Sequence, residues 1–268
     1  MFELLSYVKA PKFYVRFLCR SDVFEFQRSD GQDPEEFLND VFNRLEPIFS
    51  DMPTGTTPAL ERIKESLERY PNQTVLRYFM GDGVPNGGPK ACDEIRRIMI
   101  NRSIPEKNPF TFISCTNDDV AVEWMKETEE VAPYCSEFDD YGDEAREIVK
   151  DQGKAFPYSF GLHLVGILVA AYNPHDLDAM DESVPFTKAT LEDLLGYQTS
   201  KEEYRYYFES FIDAQKLIQR SSADYFMVKF AHHTLHGLYS EFESAPRALE
   251  TPAVSEYKQQ IKQRQQTG

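Results

Sequence analysis

Two hydrophobic periods alternate along the first half of the chain. Phe13 to Cys19 is dense in aromatic and branched residues, the pattern of a strand, and Val23 to Phe26 fits a short edge strand after a turn. Asp33-Pro34-Glu35-Glu36 opens a helix with a capping Asp, Pro in the first turn and early acids. Phe37, Leu38, Val41, Phe42 and Leu45 then recur at helical spacing, and Pro47 predicts the end of this helix. Thr57-Pro58 opens a second helix with Leu60, Ile63, Leu67 and Tyr70 on one face, closed by Pro71-Asn72. Thr74 to Met80 reads as a strand, 90–100 as a helix and Phe110 to Cys115 as a strand. Asn117-Asp118-Asp119 is expected to cap a helix carrying Val120, Val122, Trp124 and Met125. Tyr134 to Phe138 fits a short strand, 143–152 a polar helix and 160–172 an apolar helix under the sheet. Strand and helix therefore alternate over 13–131, which predicts an α/β fold: a three-layer, mostly parallel sheet with helices on both faces. From about 187 no strand pattern remains. Periodic stretches at 191–195, 202–218 and 223–239 predict a C-terminal helical extension. The expected organisation is an α/β domain over 1–183, the helical extension over 184–254 and a frayed polar tail over 255–268.

Charge narrows the partners. The chain has 268 residues, a formal net charge of -16 and a pI near 4.8. An acidic surface repels phosphate backbones and anionic bilayers, so neither nucleic acid nor membrane is an expected partner. Hydrophobic residues at 41% and aromatics at 13% suffice for a core. The longest apolar run, Leu162 to Tyr172, is too short to span a bilayer. No secretory leader pattern opens the chain, and Cys19, Cys92, Cys115 and Cys135 form no Cys-x-x-Cys pair. Free thiols in a reducing, cytoplasmic setting are expected, with Cys19 and Cys115 inside buried strands.

Two polar loops carry the candidate chemistry. Gly55-Thr56-Thr57-Pro58 precedes a helix, and Gly81-Asp82-Gly83-Val84-Pro85 follows a strand. Ligands in α/β sheets bind outside the carboxyl ends of the strands, where Asp82 would lie. A Thr hydroxyl and an Asp carboxylate are oxygen donors suited to Mg²⁺ or Mn²⁺.

These two loops, in this order and with strand–helix alternation around them, make 10–175 resemble the von Willebrand factor A domain family. That family's metal-ion-dependent adhesion site joins an Asp-x-Ser-x-Ser motif, a Thr from a Gly-Gly-Thr-Pro loop and an Asp from a Thr-Asp-Gly-x-Pro loop. The resemblance assigns Thr57 and Asp82 as metal residues. The Asp-x-Ser-x-Ser motif and its strand should precede Phe13 and do not; Ser21-Asp22 and Ser29-Asp30-Gly31 lack the pattern. The expected domain is therefore truncated or degenerate, or has another segment filling the gap, and in each case Mg²⁺ or Mn²⁺ binding is expected to be weak or absent. The segment Phe2 to Tyr7 would be a remnant of the first helix. A sheet lacking a central strand would also expose an apolar edge and invite association.

The resemblance implies a non-enzymatic protein–protein binding module, with a protein partner or self-association. The alternatives are a metal-dependent hydrolase using Asp82 with a nearby histidine, and a purely structural domain. His232 and His236 share a helical face with His233 beside them, without the Glu of a His-Glu-x-x-His site. His163 is expected to be a packed core histidine. His175-Asp176 is a possible acid–base pair by sequence adjacency alone, and Gly87-Gly88 could cradle an anion at a helix start. No nucleophile elbow, phosphate loop or dinucleotide fingerprint is present. Residues 117–151 hold 13 acidic against 3 basic residues, read as a solvated acidic face.

Overall fold

The computed structural model describes residues 2–7, 12–49, 57–70, 73–172, 180, 184–221, 239–240 and 242–245. These form two compact units, one of 1–138 with 167–172, the other of 139–166 with 173–268.

The first unit contains the sheet. Strands β1 (Phe13–Val15) and β2 (Phe24–Phe26) form an antiparallel pair, Phe13 opposite Phe26. Strands β3 (Arg77–Gly81), β4 (Phe110–Ser114) and β5 (Cys135–Phe138) form a parallel sheet in that order. The protein is thus mixed α/β, with a three-stranded parallel sheet flanked by helices. The strand at Phe13 was expected inside the parallel sheet. It pairs only with β2 among the described residues, because a chain reversal, not a helical crossover, follows it.

Helix α1 (Phe2–Tyr7) and helix α2 (Pro34–Phe49) accompany the antiparallel pair. Asp33 caps α2, its Oδ1 accepting from the Glu35 amide at 2.9 Å. The helix buries Phe37, Val41 and Leu45 with Phe26, and Phe13, Val15 and Phe24 pack against that cluster. It continues past Pro47 to Phe49. A proline in the last turn forfeits only one backbone bond, so it does not end the helix where the sequence suggested.

Helices α3 (Ala59–Arg69), α4 (Pro89–Asn101) and α5 (Asp119–Glu129) cover one face of the parallel sheet. Ile63, Ile95, Met99, Val122, Trp124 and Met125 close over Phe79, Phe110 and Phe112. Every residue of β4 is buried. Burying such a Phe or Leu side chain is worth about 1.5–3 kcal/mol relative to leaving it exposed. Asp118 precedes α5 without a side-chain capping bond, contrary to the expected cap. On the sheet's other face, the Tyr78 hydroxyl donates to the Leu168 carbonyl at 2.8 Å, near the end of α7 (Phe160–Val169).

Helices α6 (Tyr141–Gln152), α8 (Lys188–Leu195) and α9 (Lys201–Ser221) belong to the second unit. Asp140 caps α6 through the amides of Gly142 and Asp143. The Tyr207 hydroxyl donates to Gln152 Oε1 at 2.7 Å and accepts from the Phe186 amide at 2.8 Å. A side chain at Gly153 would strike the Ser210 carbonyl oxygen at 2.4 Å, so α6 and α9 meet there at backbone distance. Among the described residues no helix is long and apolar enough to cross a membrane. The expected helix over 223–238 and the tail over 255–268 lie outside the described residues.

Candidate functional site

The loop after β3 is positioned from three directions. Cys115, just past β4, donates its amide to the Gly81 carbonyl at 2.9 Å, extending the ladder to the last residue of β3. A Cβ at Gly81 would come within 2.8 Å of the Phe79 ring and 3.0 Å of Met125 Cε, so the chain turns here against packed side chains. The Trp124 indole N–H donates to the Gly83 carbonyl at 3.3 Å from α5. Asp82 between these anchors is exposed.

The second loop arrives beside the first. The Thr57 amide donates to Asn86 Oδ1 at 3.1 Å, and the Asn86 amide donates to the Thr57 carbonyl at 2.8 Å. These reciprocal bonds join the segment before α3 to the segment before α4. The same Thr57 carbonyl accepts from the Ala59 amide at 2.8 Å. The two loops singled out in the sequence are thus neighbours at the carboxyl end of the parallel sheet. Asn86 ties them together and is not among the residues singled out in the sequence. An amide side chain that can both accept and donate, placed after Asp-Gly-x-Pro, was the available signal. Gly55 and Thr56 lie outside the described residues, so Thr57 stands alone for its loop.

Cys115 sits beside this site but is exposed beyond β4, not buried within a strand as expected, and Cys19 is half-buried in the turn after β1. Local burial and then the Asp82 carboxylate push the Cys115 thiol above its ordinary value. It therefore stays protonated near neutral pH, the opposite of an activated nucleophile.

A hard divalent cation takes about six oxygen ligands, including water. Thr57 and Asp82 are one hydroxyl and one carboxylate. Among the described residues no group of three or more His, Cys, Asp or Glu side chains could hold a metal ion. These two donors alone do not fit a resident Mg²⁺ or Mn²⁺. His163 is buried in the second unit, its Nδ1 paired with the Tyr158 hydroxyl at 2.9 Å, and burial pushes its pKa down. His175, His232, His233 and His236 lie outside the described residues. Gly88 precedes α4 with no side-chain cap, and Pro89 occupies the first turn of that helix.

Comparison with protein-family models, with curated proteins and with solved structures finds no match.

Proposed function

We propose that this chain is a non-enzymatic protein-binding module of von Willebrand factor A type whose metal-ion-dependent adhesion site is degenerate. The observation that supports this reading is the Thr57–Asn86 pair of hydrogen bonds, which holds the two loops of such a site together at the carboxyl end of a parallel sheet. The exposed Asp82 then serves as a contact residue on an open edge. A protein partner binds there without a catalytic step. In this reading the three-strand sheet is the remnant of a larger three-layer fold, and the helical extension is an added element.

The test is site-specific photo-crosslinking in native cells. A photoreactive residue in place of Asp82 should capture a discrete protein that is not captured from Glu106, an exposed position before β4 at the opposite end of the sheet. Equal capture from both positions would remove the carboxyl edge as the binding site.

A further inference from the structure

Among the described residues, β3 pairs with another strand on one side only. In a parallel pair, alternate residues spend both main-chain groups on one neighbour. The Arg77 amide donates to the Pro109 carbonyl at 3.0 Å and the Gly81 carbonyl accepts from Cys115 at 2.9 Å, so Arg77, Phe79 and Gly81 face β4. Tyr78 and Met80 consequently direct their N–H and C=O groups away from it. No strand among the described residues pairs with that side of β3, since β1 pairs with β2 alone.

Side chains reinforce the point. Proteins protect free strand edges with lysines, prolines or bulges. Here the residues whose main chain points outward, Tyr78 and Met80, and Leu76 just before the strand, are uncharged. Leu76 is 45% and Met80 48% exposed. At the carboxyl end of this edge stands the exposed Asp82 carboxylate.

We infer that the outer edge of β3 is a strand-addition site for an extended, basic-ended peptide segment of another protein. The main chain of the segment pairs with Tyr78 and Met80, and its alternate apolar side chains cover Leu76 and Met80. A basic residue at its end meets Asp82. The net charge of -16 selects this occupant over a second copy of the chain, which would bring the same charge to the same edge. The inference rests on the reading of the chain as a binding module, but on the strand edge and not on the loop pair.

The experiment is fluorescence anisotropy of the labelled peptide Lys-Thr-Val-Thr-Val-Thr-Val-Lys titrated with the full chain. A lysine at each end lets either strand direction bring an ammonium to Asp82. Met80→Pro deletes an outward N–H while leaving the β3–β4 ladder intact. It should weaken binding roughly 10-fold, as should N-methylation of the peptide's central amides, which leaves the protein unaltered. Asp82→Ala should weaken it only about 3-fold, and added salt should do the same. No binding to the unmodified chain, or binding indifferent to both Met80→Pro and N-methylation, would overturn the inference. A dimer in sedimentation velocity that Met80→Pro abolishes would overturn the occupant in favour of a second copy. Probe binding through β3 without crosslinking from Asp82 would keep the strand site and reject the loop edge as the contact.

Discussion

The two ends of the parallel sheet are built on opposite principles. At the amino end two buried arginines are locked in place. Arg77 donates to Ser66 Oγ at 3.0 Å, the Ser66 carbonyl at 3.1 Å, the Val75 carbonyl at 3.1 Å and Asn108 Oδ1 at 2.8 Å. Arg102 donates to the carbonyls of Asn108 at 3.0 Å and Tyr134 at 2.8 Å, and to those of Met99 and Pro133. The starts of all three strands are stitched through these two side chains and Asn108. Burial, and secondarily the charge of Arg102, push the Arg77 guanidinium down to about 10, so it stays charged at neutral pH. At the carboxyl end the anchors are fewer, one bond from Trp124 to Gly83 and the reciprocal pair between Thr57 and Asn86, and Asp82 is left exposed. Dense anchoring at one end leaves the loops at the other free to be exposed.

If this contrast is right, substitutions should separate by end. The largest effect is expected in the shared core: Phe112→Ala, in the fully buried central strand, should destabilise by about 4 kcal/mol in denaturant unfolding. Arg102→Ala at the amino end should cost about 3 kcal/mol, because four backbone carbonyls lose their donors together. A loss under about 1 kcal/mol would show that the arginines are decoration and would erase the contrast.

The carboxyl end should respond far less. Asn86→Ala should cost about 1 kcal/mol by unpairing the Thr57 amide, and Asp82→Ala under about 0.5 kcal/mol. Calorimetric titration with Mg²⁺ or Mn²⁺ should give no binding tighter than about 1 mM, in line with the two-donor site. Tight binding that Asp82→Ala abolishes would restore a functional metal site.

A further effect is silent at neutral pH and confined to alkaline pH. Burial raises the Tyr78 phenol from 10.0 to about 12. Its contribution to stability is complete below pH 10 and is lost as pH rises through about 12, because the folded form holds the proton longer. Tyr78→Phe should flatten the stability profile across that window while also removing the bond to Leu168.

Several of these features were legible before folding. The apolar runs of β3 and β4 and the helical spacing of α3, α4 and α5 announced their elements, and the Gly-containing loops marked turns at strand ends. The site was legible in part: Thr57 and Asp82 were named, and they do fall in adjacent loops. Asn86 was passed over because its role depends on a partner 29 positions away in sequence. Arg77 and Arg102 were passed over because nothing local distinguishes a buried arginine from a solvated one. The thiol of Cys115 was misplaced for a related reason, since one residue past the end of β4 it leaves the sheet.

By itself, the sequence determined what each short stretch could become. Side-chain period selects strand or helix, Asp33 and Pro34 start α2, and glycines permit the turn after β3. Only the tertiary structure decided which strands share a sheet, why Pro47 is tolerated, which arginines are buried and which edge of β3 pairs with β4. The physical reason is range. Period, capping and turn formation are satisfied within a few residues, whereas strand pairing and burial of charge are satisfied only by groups that the fold brings together from distant parts of the chain.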